Sequence, residues 1–144
     1  MDPRTNGYRI AQVTFAQDTI LLFESRRAPL PVTAAERDSA INAIRDRIDG
    51  RELDWSEIPD EKPIVETILL DSRGRVWVQV RASNEETTYD IFSRDGIYEG
   101  TVTTGLKILS SPLPVIVGEV LHGIVTDELG VQYVVRARLT PIED

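Results

Sequence analysis

Two periods of apolar and polar positions run along the chain. In "YRIAQVTF", residues 8–15, Tyr8, Ile10, Gln12 and Thr14 alternate with Arg9, Ala11, Val13 and Phe15. Neither face is wholly apolar, but the length and β-branched content predict a strand. Gln17-Asp18 predicts a turn, and "TILLFES", residues 19–25, a second strand. Pro29 and Pro31 end it, because proline cannot serve a central ladder. From Pro63 onward the period is two. Strands are predicted over 64–70, 75–82, 88–93 and 97–104, separated by the turns "DSRG", "SNEET" and "RDG". That is a four-stranded antiparallel meander. After "GLKILSSPLP", residues 115–117, 120–126 and 131–139 predict a second meander of three strands, broken at "GE" and "DELG".

One segment has the helical period. Thr33 followed by Glu36 makes a capping box, Ala40, Ile41, Ile44 and Ile48 recur on one face, and Asp49-Gly50 supplies the stop. The spacing predicts a helix over 34–48. Its other face carries Glu36, Arg37, Asp38, Arg45 and Asp46. The narrow apolar stripe predicts a helix laid on a sheet face. The following connection, "DGRELDWSEIPDEKP", is polar, and Trp55 and Ile58 are expected to anchor it.

A fixed offset of 44 residues relates the two meanders: Gly74 maps to Gly118, Val76 to Val120, Trp77 to Leu121 and Tyr89 to Tyr133. Periods of about 40–50 residues are those of four-stranded propeller blades, which stack because one sheet cannot bury both faces alone. "DSRGRVWVQV", "YDIFSRDGIYEGTV" and "TDELGVQYVVRARL" resemble the C-terminal blades of bacterial six-bladed β-propeller proteins of the NHL-like group. In that group a D-x-x-G turn before a "VWV"-type strand and a "YDVFD-x-DG-x-Y-x-G" hairpin recur in each blade. The resemblance spans 62–139. It implies an all-β fold with one inserted helix: 8–28 as the outer strands of a partial blade, 33–60 as a helical insertion, 62–105 as a complete blade and 112–140 as a terminal partial blade. A six-bladed wheel needs about 240 residues, so the ring is incomplete in one chain. The chain is then expected to be a fragment of a longer one or to form a homo-oligomer. A small β-sandwich or barrel with one helix is the alternative closure.

Composition narrows the function classes. The 144 residues are 41% hydrophobic and 28% charged, which suits one soluble domain spanning 1–144. The net charge is -8, and the 14 Arg and 2 Lys are scattered, so no cationic face for nucleic acid is visible. The same balance argues against an anionic membrane surface. No run reaches the roughly 18 apolar residues of a membrane span. "MDPRTNGYRI" has no basic stretch followed by an apolar one. The expected location is cytoplasmic for a complete chain, and periplasmic or secreted for a fragment of a family-like precursor. There is no Cys, which removes disulfides and thiolate chemistry.

The chemistry-bearing residues read first as structure. His122 is the only histidine, so the usual multi-histidine metal sets cannot form. Asp127-Glu128 in "TDELG" and Glu85-Glu86 in "SNEET" are pairs suited to hard cations, but each occupies a hairpin turn. Asp71 and Asp95 precede turn glycines, where Asp accepts from following amides. Ser25, Ser72, Ser83, Ser93, Ser110 and Ser111 lie in no G-x-S-x-G elbow, and no phosphate-binding glycine loop is present. Trp55, Trp77, Tyr89, Tyr98 and Tyr133 could line a groove; for Trp77 packing between sheets is the expected role. The strand expected innermost, "IVETILL", offers only Glu66 and Thr67. No catalytic residue, metal site or cofactor is expected, and no binding residue is identified. The expected role is a binding or protein-interaction module for a protein or small molecule. The alternatives are part of a propeller hydrolase or lyase with its site in the central channel, or an assembly domain.

Overall fold

The computed structural model describes residues 7–47, 54–83 and 86–139. It is mostly β with one helix. Three antiparallel sheets contain two, four and three strands, and no sheet closes on itself among the described residues. The first pairs β1 (Tyr8–Val13) with β2 (Thr19–Ser25). The second has the order β3 (Val65–Leu70), β4 (Val76–Val80), β5 (Thr88–Phe92), β6 (Tyr98–Thr103). The third has the order β7 (Val115–Val117), β8 (Val120–Thr126), β9 (Gln132–Arg138).

The central sheet is covered on both faces. Val76, Val78, Val80 and Phe92 form one core with Phe23, flanked by Tyr8, Ile10 and Leu21 of the two-stranded sheet. Trp77, Tyr89, Ile91 and Leu69 form the other with Ile108, Ile116, Leu121 and Leu139, on the side of the three-stranded sheet. Every residue of β4 and β5 is therefore buried. This explains why "VWVQV" lacks a polar face: strands covered on both sides read as continuous apolar runs. The end strands, covered on one side only, alternate.

One turn design recurs. At 14–18, 71–75, 93–97 and 127–131 the first residue's N–H bonds the fifth residue's C=O, and the fourth residue's N–H bonds the first residue's C=O. This is a type I turn closed by a left-handed residue, as three-residue hairpin loops use. Gly74, Gly96 and Gly130 take that position with φ of 77°, 83° and 81°, and Gln17 takes it with φ of 67°. A side-chain oxygen at the first position reinforces all four: Thr14 Oγ1 accepts from Asp18 N (3.2 Å), and in the other three it takes two amides. Asp71 Oδ1 accepts from Arg73 N (2.8 Å) and Arg75 N (2.9 Å), and Asp127 Oδ1 from Leu129 N (2.9 Å) and Val131 N (2.8 Å). Ser93 Oγ accepts from Asp95 N (3.2 Å) and Ile97 N (3.1 Å).

Several expectations change. The first strand stops at Val13, because Thr14 and Phe15 enter the turn; Phe15 is fully exposed at its tip. The helix α1 (Ala34–Arg45) has the expected capping box but no buried residue, so it is not laid on a sheet face. The returning segment 54–62 holds it instead. Arg37 bonds Ile58 O and pairs with Asp60, Lys62 Nζ meets Glu36 Oε1 at 2.6 Å, and the Arg45 guanidinium lies 5.5 Å from the Trp55 ring centre. These contacts explain the anchoring role expected of Trp55. With Lys62 and the Thr33 cap donating to it, the Glu36 carboxyl is pushed down to about 2. Ile48, Asp49 and Gly50 lie outside the described residues.

The 44-residue echo holds in part. β4 and β8 are the second strands of their sheets, β5 and β9 the third, and Trp77 and Leu121 both lie in the shared core. Gly74 and Gly118 both have positive φ. The turns differ, however: five residues at 71–75, and two between the paired Val117 and Val120. The tyrosines differ too, since Tyr89 is buried and Tyr133 is half exposed.

Candidate interaction surfaces

The polar chemistry of the described residues concentrates at two junctions between sheets. The first centres on Asp90. In β5 it pairs with Val78 on one side and Thr101 on the other, on the face turned toward the two-stranded sheet. The cross-strand pair Tyr8 and Ser25 lies over it, with Arg27 just beyond the end of β2. Asp90 Oδ1 accepts from Arg27 Nη2 (2.6 Å) and Thr101 Oγ1 (2.7 Å). Its Oδ2 accepts from Tyr8 OH (2.8 Å), Arg27 Nε (3.3 Å) and Ser25 Oγ (3.4 Å). Tyr98 OH extends the chain to Thr101 at 2.7 Å. Burial alone would raise the Asp90 pKa, but the bonds from Arg27, Thr101 and Tyr8 outweigh it and hold the carboxyl below its usual range. Burial, followed by the bond to that carboxylate, pushes the Tyr8 phenol far up. Asp90 has no solvent-exposed surface and both oxygens are saturated. The group is a clamp between sheets and has no lone pair free for proton transfer.

The second junction centres on Asp71. Besides the two turn amides, its Oδ2 accepts from Arg75 Nε (2.6 Å) and Trp77 Nε1 (3.0 Å). Arg75 lies 5.2 Å from the Trp77 ring centre and donates from Nη2 to Gly118 O at 3.1 Å. Ser72 Oγ accepts from Gly118 N at 3.0 Å, and Ser72 N donates to Ile116 O at 3.3 Å. The β3–β4 turn thus grips the β7–β8 turn of the next sheet. Asp71, one of the candidates read from the sequence, is consumed by this role.

The other candidates are placed as follows. Asp127 is a turn acceptor whose Oδ2 also takes the Tyr133 OH at 3.0 Å. Asp95 and Glu128 are exposed, and Glu85 lies outside the described residues. Glu66 pairs with Arg81 at 2.9 Å and accepts from Gln79 Nε2 at 3.0 Å. His122 is exposed on the outer face of β8, and among the described residues no hydrogen bond joins it to a serine or carboxylate. Ser83, Ser110 and Ser111 are exposed. No group of three His, Asp or Glu suited to a metal occurs among the described residues. No helix among them is long and apolar enough to cross a membrane.

Tyr89 is the exception to this saturation. Its ring stands edge to face with Trp77 at 6.0 Å, while its hydroxyl is buried without a hydrogen-bond partner among the described residues. Burial pushes the phenol up to about 12. A buried unpaired hydroxyl destabilises. Tyr89→Phe is therefore expected to raise stability by about 1 kcal/mol. A urea midpoint that falls instead would show that the hydroxyl carries a bond.

The apolar surface that remains faces outward from the two ends of the stack. On the outer face of β1–β2 are Ala11, Val13, Ile20 and Leu22, with Arg9 and Glu24 paired at 2.6 Å. On the outer face of β7–β9 are Val115, Val117, Ile124 and Val134, the last 83% exposed. Arg136 lies in one cross-strand row with Val115 and His122, and Arg138 in another with Val117 and Val120. Sequence reading missed the Asp90 clamp. The signal for it was present: an acid in the middle of "TYDIF", where strands seldom place one.

No family model, curated protein or solved structure matches the chain.

Proposed function

We propose that this protein is a binding and protein-interaction module built from β-propeller blades of the NHL-like kind. The observation that carries the reading is the stack itself. Three antiparallel sheets of two, four and three strands stack with the middle one covered on both faces, and two side-chain junctions tie neighbours together. β2 and β6, the last strands of their sheets, are in contact, as the outer strands of adjacent blades would be. The carboxylates at those junctions are spent on holding sheets together, while the outer faces of the end sheets present apolar rows to solvent. A sheet that needs a neighbour on each face is built for contact with other protein.

Photo-crosslinking in the source cell tests this. A photoreactive residue at position 22, 117 or 134 is expected to give discrete protein adducts. The same residue at position 38 or 39, on the exposed face of α1, is expected to give none. Equal labelling at all positions, or none at the sheet faces, would count against an interaction module.

A further inference from the structure

We infer that the two end faces are complementary to each other, and that copies of this chain associate head to tail through them, the β7–β9 face of one on the β1–β2 face of the next. The inference rests on the stacked-blade reading and adds the identity of the neighbour. The chain itself shows what its sheets require: where both faces are covered, as for β4 and β5, every residue is buried. It also shows the chemistry of a covered face. Between the two-stranded and four-stranded sheets, an apolar core is completed by one guanidinium, Arg27, reaching a carboxylate of the next sheet, Asp90. The end faces carry the same two components separately. Val115, Val117 and Val134 are flanked by Arg136 and Arg138, for which no carboxylate partner exists among the described residues. Ile20, Leu22 and Val13 are flanked by Glu24, shared only with an exposed Arg9, and by Asp18 in the adjoining turn.

Charge disfavours one of the alternative pairings. Two β7–β9 faces brought together about a two-fold axis would gather four guanidinia in a desolvated patch, which like-charge repulsion opposes. Placing that face on β1–β2 of another copy sets its two arginines beside Asp18 and the Arg9–Glu24 pair instead, so that three guanidinia meet two carboxylates. Such a contact uses different patches on the two partners, so it propagates until a ring closes or a filament forms.

Sedimentation velocity on the full chain and two variants tests it. The wild type is expected to show a mass that rises with concentration up to about 100 µM, above the micromolar range small interfaces reach. Leu22→Lys blocks one face and Val134→Lys the other; both side chains are exposed, and unchanged circular dichroism checks folding. Each variant alone is expected to stay monomeric. An equimolar mixture restores one wild-type contact per pair and is expected to give a species of two chains and nothing larger. A wild type that is monomeric throughout overturns the inference and leaves the faces to another protein, which the crosslinking experiment detects separately. One variant assembling like wild type, with no rescue on mixing, would show a two-fold contact through a single face and equally overturn it.

Discussion

Trp77→Ala is expected to lower the free energy of unfolding by about 4 kcal/mol, within the range of large aromatic truncations in cores. Several independent contacts converge on this side chain. It is 1% exposed and packs with Leu69, Tyr89, Ile91, Ile116 and Leu121, so it fills the space between the four-stranded and three-stranded sheets. Its indole N–H reaches Asp71 Oδ2 at 3.0 Å, and its ring faces Arg75 and the edge of Tyr89. The alanine variant leaves a cavity between two sheets that cannot collapse without breaking the Ser72–Gly118 contact beside it. Trp77→Phe retains most of the ring and loses the N–H, so its cost should be smaller and reports the bond to Asp71. In urea the midpoint should fall with little change in the slope, as for a loss of stability alone. A loss under about 1 kcal/mol for the alanine variant would mean that the two sheets do not share this core.

Part of this core was legible: Trp77 was expected to pack between sheets, and it does. That β4 and β5 are covered on both faces was not: "TYDIF" alternates Thr88 and Asp90 with Tyr89 and Ile91 as a half-exposed strand would, yet every residue in it is buried. The turns were legible from local chemistry: Asp71 and Asp127 act on amides two and four residues ahead, while in the 93–97 turn that role, expected of Asp95, falls to Ser93. The Thr14–Asp18 turn was read only in part, because Gln17 stands where the other copies have glycine. The helix start was marked by its capping box, but its end, at Arg45 and not at Ile48, was not, and neither was its docking. A stripe of three or four apolar residues fits a sheet face as well as it fits the polar return segment that in fact holds it. The Asp90 clamp was the least legible feature. Its partners Tyr8, Ser25 and Arg27 lie 82, 65 and 63 residues away in sequence, and no local period encodes such a pairing.

That clamp gives the second large effect. Asp90→Asn is expected to cost about 3 kcal/mol, as when one member of a buried ion pair is removed. Arg27 retains 27% exposure of its side chain, so solvent recovers part of what it loses and the cost falls at the low end of that range. The asparagine keeps the shape but offers an N–H₂ where the carboxylate accepted from donors on both oxygens. Arg27→Met should cost more, because it leaves a carboxylate with no exposed surface and no counter-charge. The double variant should lose less than the sum of the two, since each single change already breaks the same pair. The pH dependence distinguishes a charge effect from a packing effect. The Asp90 pKa is depressed in the folded state, so its contribution is complete above the unfolded value of about 3.9 and is lost as pH falls through the folded one. The stability gap between wild type and Asp90→Asn should therefore narrow as the pH is lowered below about 4. Asp71, Asp127 and Glu36 also have depressed values, but they titrate in both proteins and cancel in the difference. A gap that stays constant down to the acid transition would assign the loss to steric repacking around the new amide and remove the buried charge from the account of how the first two sheets are held together.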